Sequence, residues 1–98
     1  MTREELKEIR SIKAEISSLE KHIDTADPKT VHRFEMLERK VDRAEDYIDT
    51  VDGEMQSILR MRYIYGMTLE DIGKKLNYDL STVGKKLHTH FNKREVQE

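Results

Sequence analysis

The stretch Leu59–Phe91, LRMRYIYGMTLEDIGKKLNYDLSTVGKKLHTHF, decides how this chain folds. Its spacings mark the end of one helix, a short second helix, a tight turn and a third helix. Thr68 stands where an N-cap belongs, its hydroxyl set to accept from a backbone N–H two or three residues on, with Asp71 at the third helical position. Leu69, Ile72 and Leu76 fall on one face of the two turns that follow. Gly73, on the flank of that face, leaves room for a second helix to approach. Asn77 tolerates the left-handed conformation that a helix end often requires. Tyr78 puts an aromatic into the turn, and Asp79 is set to cap the next helix, predicted from Leu80 to Asn92.

At about 100° per residue that last helix has two unlike sides. Val83, Leu87, Phe91 and Leu80 share a narrow apolar sector, expected to be buried. Opposite lie Ser81, Thr82, Lys85 and Thr89, with His88 and Lys86 on the shoulders. A short cationic, hydrogen-bonding stripe that starts at a helix N-terminus suits the major groove of DNA. Lysine can donate to guanine, and serine or threonine can serve base edges or phosphates. Ser81, Thr82, Lys85 and His88 are the expected groove residues. Thr68, Lys74, Lys75, Lys86 and Lys93 are expected at phosphates, and Thr89 at either. An ordinary amphipathic helix with a solvated polar face is the alternative, disfavoured by the cap, short helix and turn that precede it.

With these residues in view, the segment from Leu59 to Leu76 resembles the promoter-reading C-terminal domain, region 4, of bacterial sigma factors. The likeness lies in a Leu59-x-x-Arg62-Tyr63 helix end, Gly66, the Thr68 cap and the unit Asp71-Ile72-Gly73, followed by Ser81-Thr82-Val83 at the start of a recognition helix. Asn77 replaces the usual turn glycine, and Gly84 stands where such helices often carry a basic or polar residue. With its long helical front half, the whole chain resembles the small sigma-like late-gene activators of Gram-positive phages, the RinA and ArpU type. That resemblance implies a phage or prophage promoter as target, with RNA polymerase as a second candidate partner.

The front half reads as two helices. From Glu4 to Ile23, Ile9, Ile12, Ile16, Leu19 and Ile23 recur with the alternating three- and four-residue spacing of a coiled-coil seam. Asp27-Pro28 marks an N-cap followed by proline at the first helical position. Phe34, Leu37, Val41, Ala44, Ile48 and Val51 then form a second seam of the same period, with Glu35 and Arg39 as a surface pair. A short loop between matched seams predicts an antiparallel hairpin. Neither seam can close a three-sided core, so the hairpin is expected to pair with that of a second chain. The alternative is a monomer whose hairpin folds back on its own reader. Asp52-Gly53 marks the junction.

The expected fold is therefore all-α: a coiled-coil, homodimerising hairpin over residues 1–52, then a three-helix, helix-turn-helix DNA module over residues 53–98. The module's first helix, predicted from Glu54 to Tyr65, presents Met55, Ile58, Leu59, Tyr63 and Tyr65 to the core, while Met61 and Ile64 face the hairpin. Arg62 falls in the core-facing sector, where a charge needs a partner; Asp71, or else Glu70, is the expected one. Gly66 ends that helix.

Composition fits this plan and excludes others. Of 98 residues, 39% are charged and 36% apolar, which suits helices with exposed charged faces more than a deep core. The absence of cysteine excludes thiolate and disulfide chemistry. No apolar run approaches membrane-spanning length and the charged N-terminus is no signal peptide, so a cytoplasmic protein without membrane contact is expected. The net charge of −2 hides an asymmetry: from Lys74 to Arg94 there are six basic residues and one acidic. Local positive charge governs attraction to phosphate. His88 and His90 point apart on a helix, and Asp46, Asp49 and Asp52 read as a solvated acidic face, so no metal is expected. Nothing suggests catalysis, a cofactor or a small-molecule substrate. Two rival functions remain: a phage DNA-packaging, terminase small subunit-like protein, and a sigma-like module that binds RNA polymerase without touching DNA.

Overall fold

The computed structural model describes residues 1–96, with side chains as far as Asn92. It is all-α, with an N-terminal helical hairpin followed by a helix-turn-helix. Helix α1 (Arg3–Lys7) opens on a capping box that the reading of the seams passed over, although Thr2-x-x-Glu5 is its sequence signature. Thr2 Oγ1 accepts from the Glu5 N–H at 3.2 Å, and the Glu5 carboxylate accepts from the Thr2 N–H at 3.2 Å. These hydrogen bonds hold the Glu5 carboxyl below its ordinary value. Through Glu8, still in a right-handed helical conformation, α1 runs on into α2 (Ile9–Glu20). The single helix expected from Glu4 to Ile23 is thus loosened at Glu8 and ends early, with one 3-10 turn at Ile23–Thr25.

Helix α3 (Pro28–Asp49) begins as its sequence demands: the Asp27 carboxylate accepts from the Thr30 N–H at 2.8 Å, and Pro28 occupies the first turn. Across the hairpin Arg33 grips Glu15 with both Nε and Nη2, the latter 2.9 Å from Oε1. Among the described residues this is the ion pair that Arg33 and Glu15 make; none joins Glu35 to Arg39.

Burial along the two seams is graded. At the base, Ile9, Ile12, Ala44, Ile48 and Val51 are buried, and Leu37, midway along α3, is buried too. Towards the tip Ile16, Leu19, Ile23 and Phe34 are half-buried, as is Val41 between Leu37 and Ala44. Two helices alone can cover only the strip between them. The base does better because a third wall meets it: Leu6, Ile9 and Ile48 lie in one cluster with Ile58, Leu59, Ile72, Val83 and Leu87, all of them essentially fully buried. The core therefore runs through the Asp52-Gly53 junction.

That third wall is α4 (Glu54–Leu59), which widens into a π turn over Arg60–Ile64, where the Tyr65 N–H donates to the Arg60 carbonyl at 3.0 Å. A π turn inserts one residue and rotates everything after it by about 100°. Within the turn Met61, Tyr63 and Ile64 are all buried, as expected. Tyr65, expected in the core, is instead 67% exposed. Arg62 is only half-buried and needs no carboxylate. Its Nη1 donates to the Met67 carbonyl at 3.0 Å, which replaces the expected pairing with Asp71 or Glu70.

The turn of the reader is built as predicted, with one change of reason. In α5 (Leu69–Leu76) Thr68 Oγ1 accepts from the Asp71 N–H at 3.1 Å, and Asn77 closes the helix at φ 63°, ψ 42°. The Asp79 carbonyl then accepts from Thr82 and Val83 to start α6 (Leu80–Val96). Gly73 makes room for the turn itself: a Cβ there would sit 2.5 Å from the Tyr78 carbonyl oxygen. Gly84 is different, since a Cβ would only touch Leu69 Cδ1 at 3.7 Å.

These two glycines should respond oppositely to alanine in urea or thermal unfolding. Gly84→Ala removes helix-interior glycine and should add about 0.5–1 kcal/mol. Gly73→Ala forces the turn open and should cost about 1–3 kcal/mol. Because the core is continuous, Ile9→Ala should cost about 2–5 kcal/mol. It should also lower the melting of α5 and α6 in the same single transition, followed by amide exchange.

Candidate nucleic-acid interface

Helix α6 is held on three sides and open on the fourth. Val83, Leu87 and Phe91 enter the core. On one flank Leu69 of α5 approaches Gly84. On the other, Glu54 and Met55 of α4 face Thr82, Lys85, Lys86, Thr89 and His90 across an open groove. What remains outward is Ser81, Lys85, His88 and Thr89, all exposed, with Thr82 half-buried at the groove's edge. From Leu80 to Asn92 no acidic residue interrupts this stripe.

Each expected contact has a definite place. Ser81, Lys85, His88 and Thr89 stand together on the open side, and Thr82 lines the flanking groove with Lys85. His88 Nε2 lies 2.7 Å from Asn92 Nδ2, a bond along the helix that orients the ring. Thr68, exposed at the start of α5, uses its hydroxyl as a cap acceptor. Lys75 is exposed, and Lys74 reaches Glu70 at 3.4 Å with both side chains mostly solvated, a contact worth little and easily exchanged for phosphate. The Lys93 side chain lies outside the described residues.

Two positions depart from expectation. Lys86 does not stand free on the shoulder: its Nζ lies 3.5 Å from Glu54 Oε1 and 5.0 Å over the Tyr78 ring. The Tyr78 hydroxyl donates to the other Glu54 oxygen at 2.9 Å, and this bond raises the Tyr78 pKa above its ordinary value. Glu54, Tyr78 and Lys86 thus tie the start of α4 to the turn and to α6. Leu80, expected in the buried sector, is 53% exposed; it belongs to that sector by angle but lies a turn before Val83, where α6 has only just left the turn.

Other ties join the front half to this helix. The Tyr47 hydroxyl lies 2.9 Å from His90 Nε2, and the His90 ring meets Phe91 edge-on. Arg3 places its guanidinium 5.5 Å over the Phe91 ring. His88 and His90 therefore do diverge, one towards Asn92 and the other towards α3. Periodicity shows which side of a helix a residue occupies, but not which distant residue it meets, so these ties were not legible in the sequence.

A helix presented in this way, preceded by a shorter helix whose N-terminus is also exposed, can lay its first turns in a major groove while the shorter one crosses the phosphate backbone. Among the described residues no helix is long and apolar enough to cross a membrane. Neither a curated protein nor a solved structure matches the chain. Residues 47–93 match the family model described as Sigma-70, region 4. The match begins in the last turn of α3 and takes in α4, α5 and most of α6. The second half of the chain is thus similar to sigma region 4, a DNA-binding helix-turn-helix domain.

Proposed function

We propose that this protein is a sequence-specific, double-stranded DNA-binding transcription regulator of phage or prophage origin, acting in the cytoplasm at a promoter or control region. The observation that carries the proposal is the open side of α6, where Ser81, Lys85, His88 and Thr89 are exposed together and no acidic residue from Leu80 to Asn92 opposes them. Lysine supplies charge and a guanine donor; the hydroxyls and imidazole supply bonds to base edges and phosphates. Thr68, Lys74 and Lys75 on α5 are placed to fix register on the backbone.

Residues 1–52 would pair two such readers, and the whole chain would act as the RinA and ArpU type that it resembles. Support for this comes from the half-buried seam residues Ile16, Leu19 and Phe34 and from Met36 on α3, an exposed large apolar side chain. Two copies would double the modest positive charge of one reader and raise its effective affinity. RNA polymerase is the second proposed partner, on the strength of the likeness to sigma region 4.

Footprinting of the purified protein across its own genome should show a discrete protected site, and sedimentation should show a dimer. By fluorescence anisotropy on that site, Lys85→Glu should weaken binding about tenfold or more, the scale of a lost base contact of about 1–3 kcal/mol. Its melting temperature should stay unchanged, since Lys85 is exposed. Unaltered affinity would instead favour a module that docks on polymerase without touching DNA.

A further inference from the structure

We infer that Arg10, on α2 of the N-terminal hairpin, is a DNA phosphate contact that extends the reader's footprint beyond the helix-turn-helix; this rests on the DNA-binding reading above. Arg10 lies outside the segment that matches sigma region 4. It is exposed, yet its guanidinium is laid over Gly66, where an added Cβ would come within 2.7 Å of Cζ and 2.9 Å of Cδ. Gly66, at φ 70°, is the residue on which the chain turns from α4 towards α5. Two positions later comes Thr68, the exposed cap of α5, and next to it Leu69, which lies against Gly84 of α6. Arg10 thus lies over the loop that leads into α5, two positions before its exposed cap.

Charge supports the same assignment. Among the described residues no carboxylate lies within ion-pair distance of Arg10. One turn further along α2, Lys13 Nζ donates to the Ile64 carbonyl at 3.4 Å, so a second cation reaches the same end of α4. With α6 in the major groove, the N-terminal end of α5 meets the flanking backbone. A guanidinium held beside that end by a glycine has the planar, bidentate donor geometry that phosphate oxygens accept.

The test uses the full chain and a mixed-sequence synthetic duplex at stepped KCl concentrations. Arg10→Gln removes the charge and the guanidinium that lies over Gly66; Arg10→Lys keeps the charge, and an unchanged melting temperature for each variant shows that the fold is kept. For Arg10→Gln, affinity should fall about three- to tenfold and the slope of log affinity against log salt should flatten by about one. Arg10→Lys should retain most of the slope. Equal slopes for all three proteins, with the parent chain binding normally, would overturn the inference and leave the DNA-binding reading standing. If the parent chain bound no duplex at any salt concentration, both would fail.

Discussion

The close approach of the Tyr78 carbonyl to the Cα of Gly73 governs the direction in which α6 leaves the turn. The Tyr78 N–H donates to the Gly73 carbonyl at 2.8 Å, and Asn77 supplies the left-handed backbone that brings the two together. Any Cβ at position 73 would push the turn outward. Once the turn is closed this tightly, Val83, Leu87 and Phe91 have one way to enter the core, and Ser81, Lys85, His88 and Thr89 are left outside. Glu54 reinforces the angle by taking the Tyr78 hydroxyl and Lys86 on its two oxygens. The functional face follows from a backbone contact before any side chain is considered.

The front half is more than a handle. Its base shares the reader's core, and Tyr47, Arg3 and Arg10 each touch the reader at a different point. Arg60 adds a bond of 2.5 Å to Asp49 at the junction, but a pair this exposed contributes little beside the apolar burial. Stability and orientation are therefore coupled. Whatever fixes the hairpins relative to each other in a dimer also fixes the spacing of the two recognition helices. In the proposed dimer, half-site spacing would then be set by residues at the hairpin interface.

Much of this was legible in the sequence because local chemistry dominates in helices. The Thr68 cap, the Asn77 close, the Asp27-Pro28 start and the buried stripe of α6 are each decided within a few residues. What sequence reading missed was decided elsewhere. The π turn after Leu59 carries no strong local mark, and it turned Tyr65 outward and gave Arg62 a carbonyl partner. Lys86 looks like a free surface cation until Glu54, far along the chain, is folded beside it. Leu80 has the correct angle for burial but stands too near the helix end. The hairpin seams fixed which helices pair; the third wall that covers their base could not be read from either seam alone.

The central claim is that the open side of α6 lies in a duplex groove. It is tested most directly by backbone amide shifts in the full chain titrated with the duplex protected in footprinting. The account predicts that the largest shifts fall on Ser81, Lys85, His88 and Thr89, with a second group at the start of α5. Shifts confined to α3, or none at saturating duplex, would contradict it.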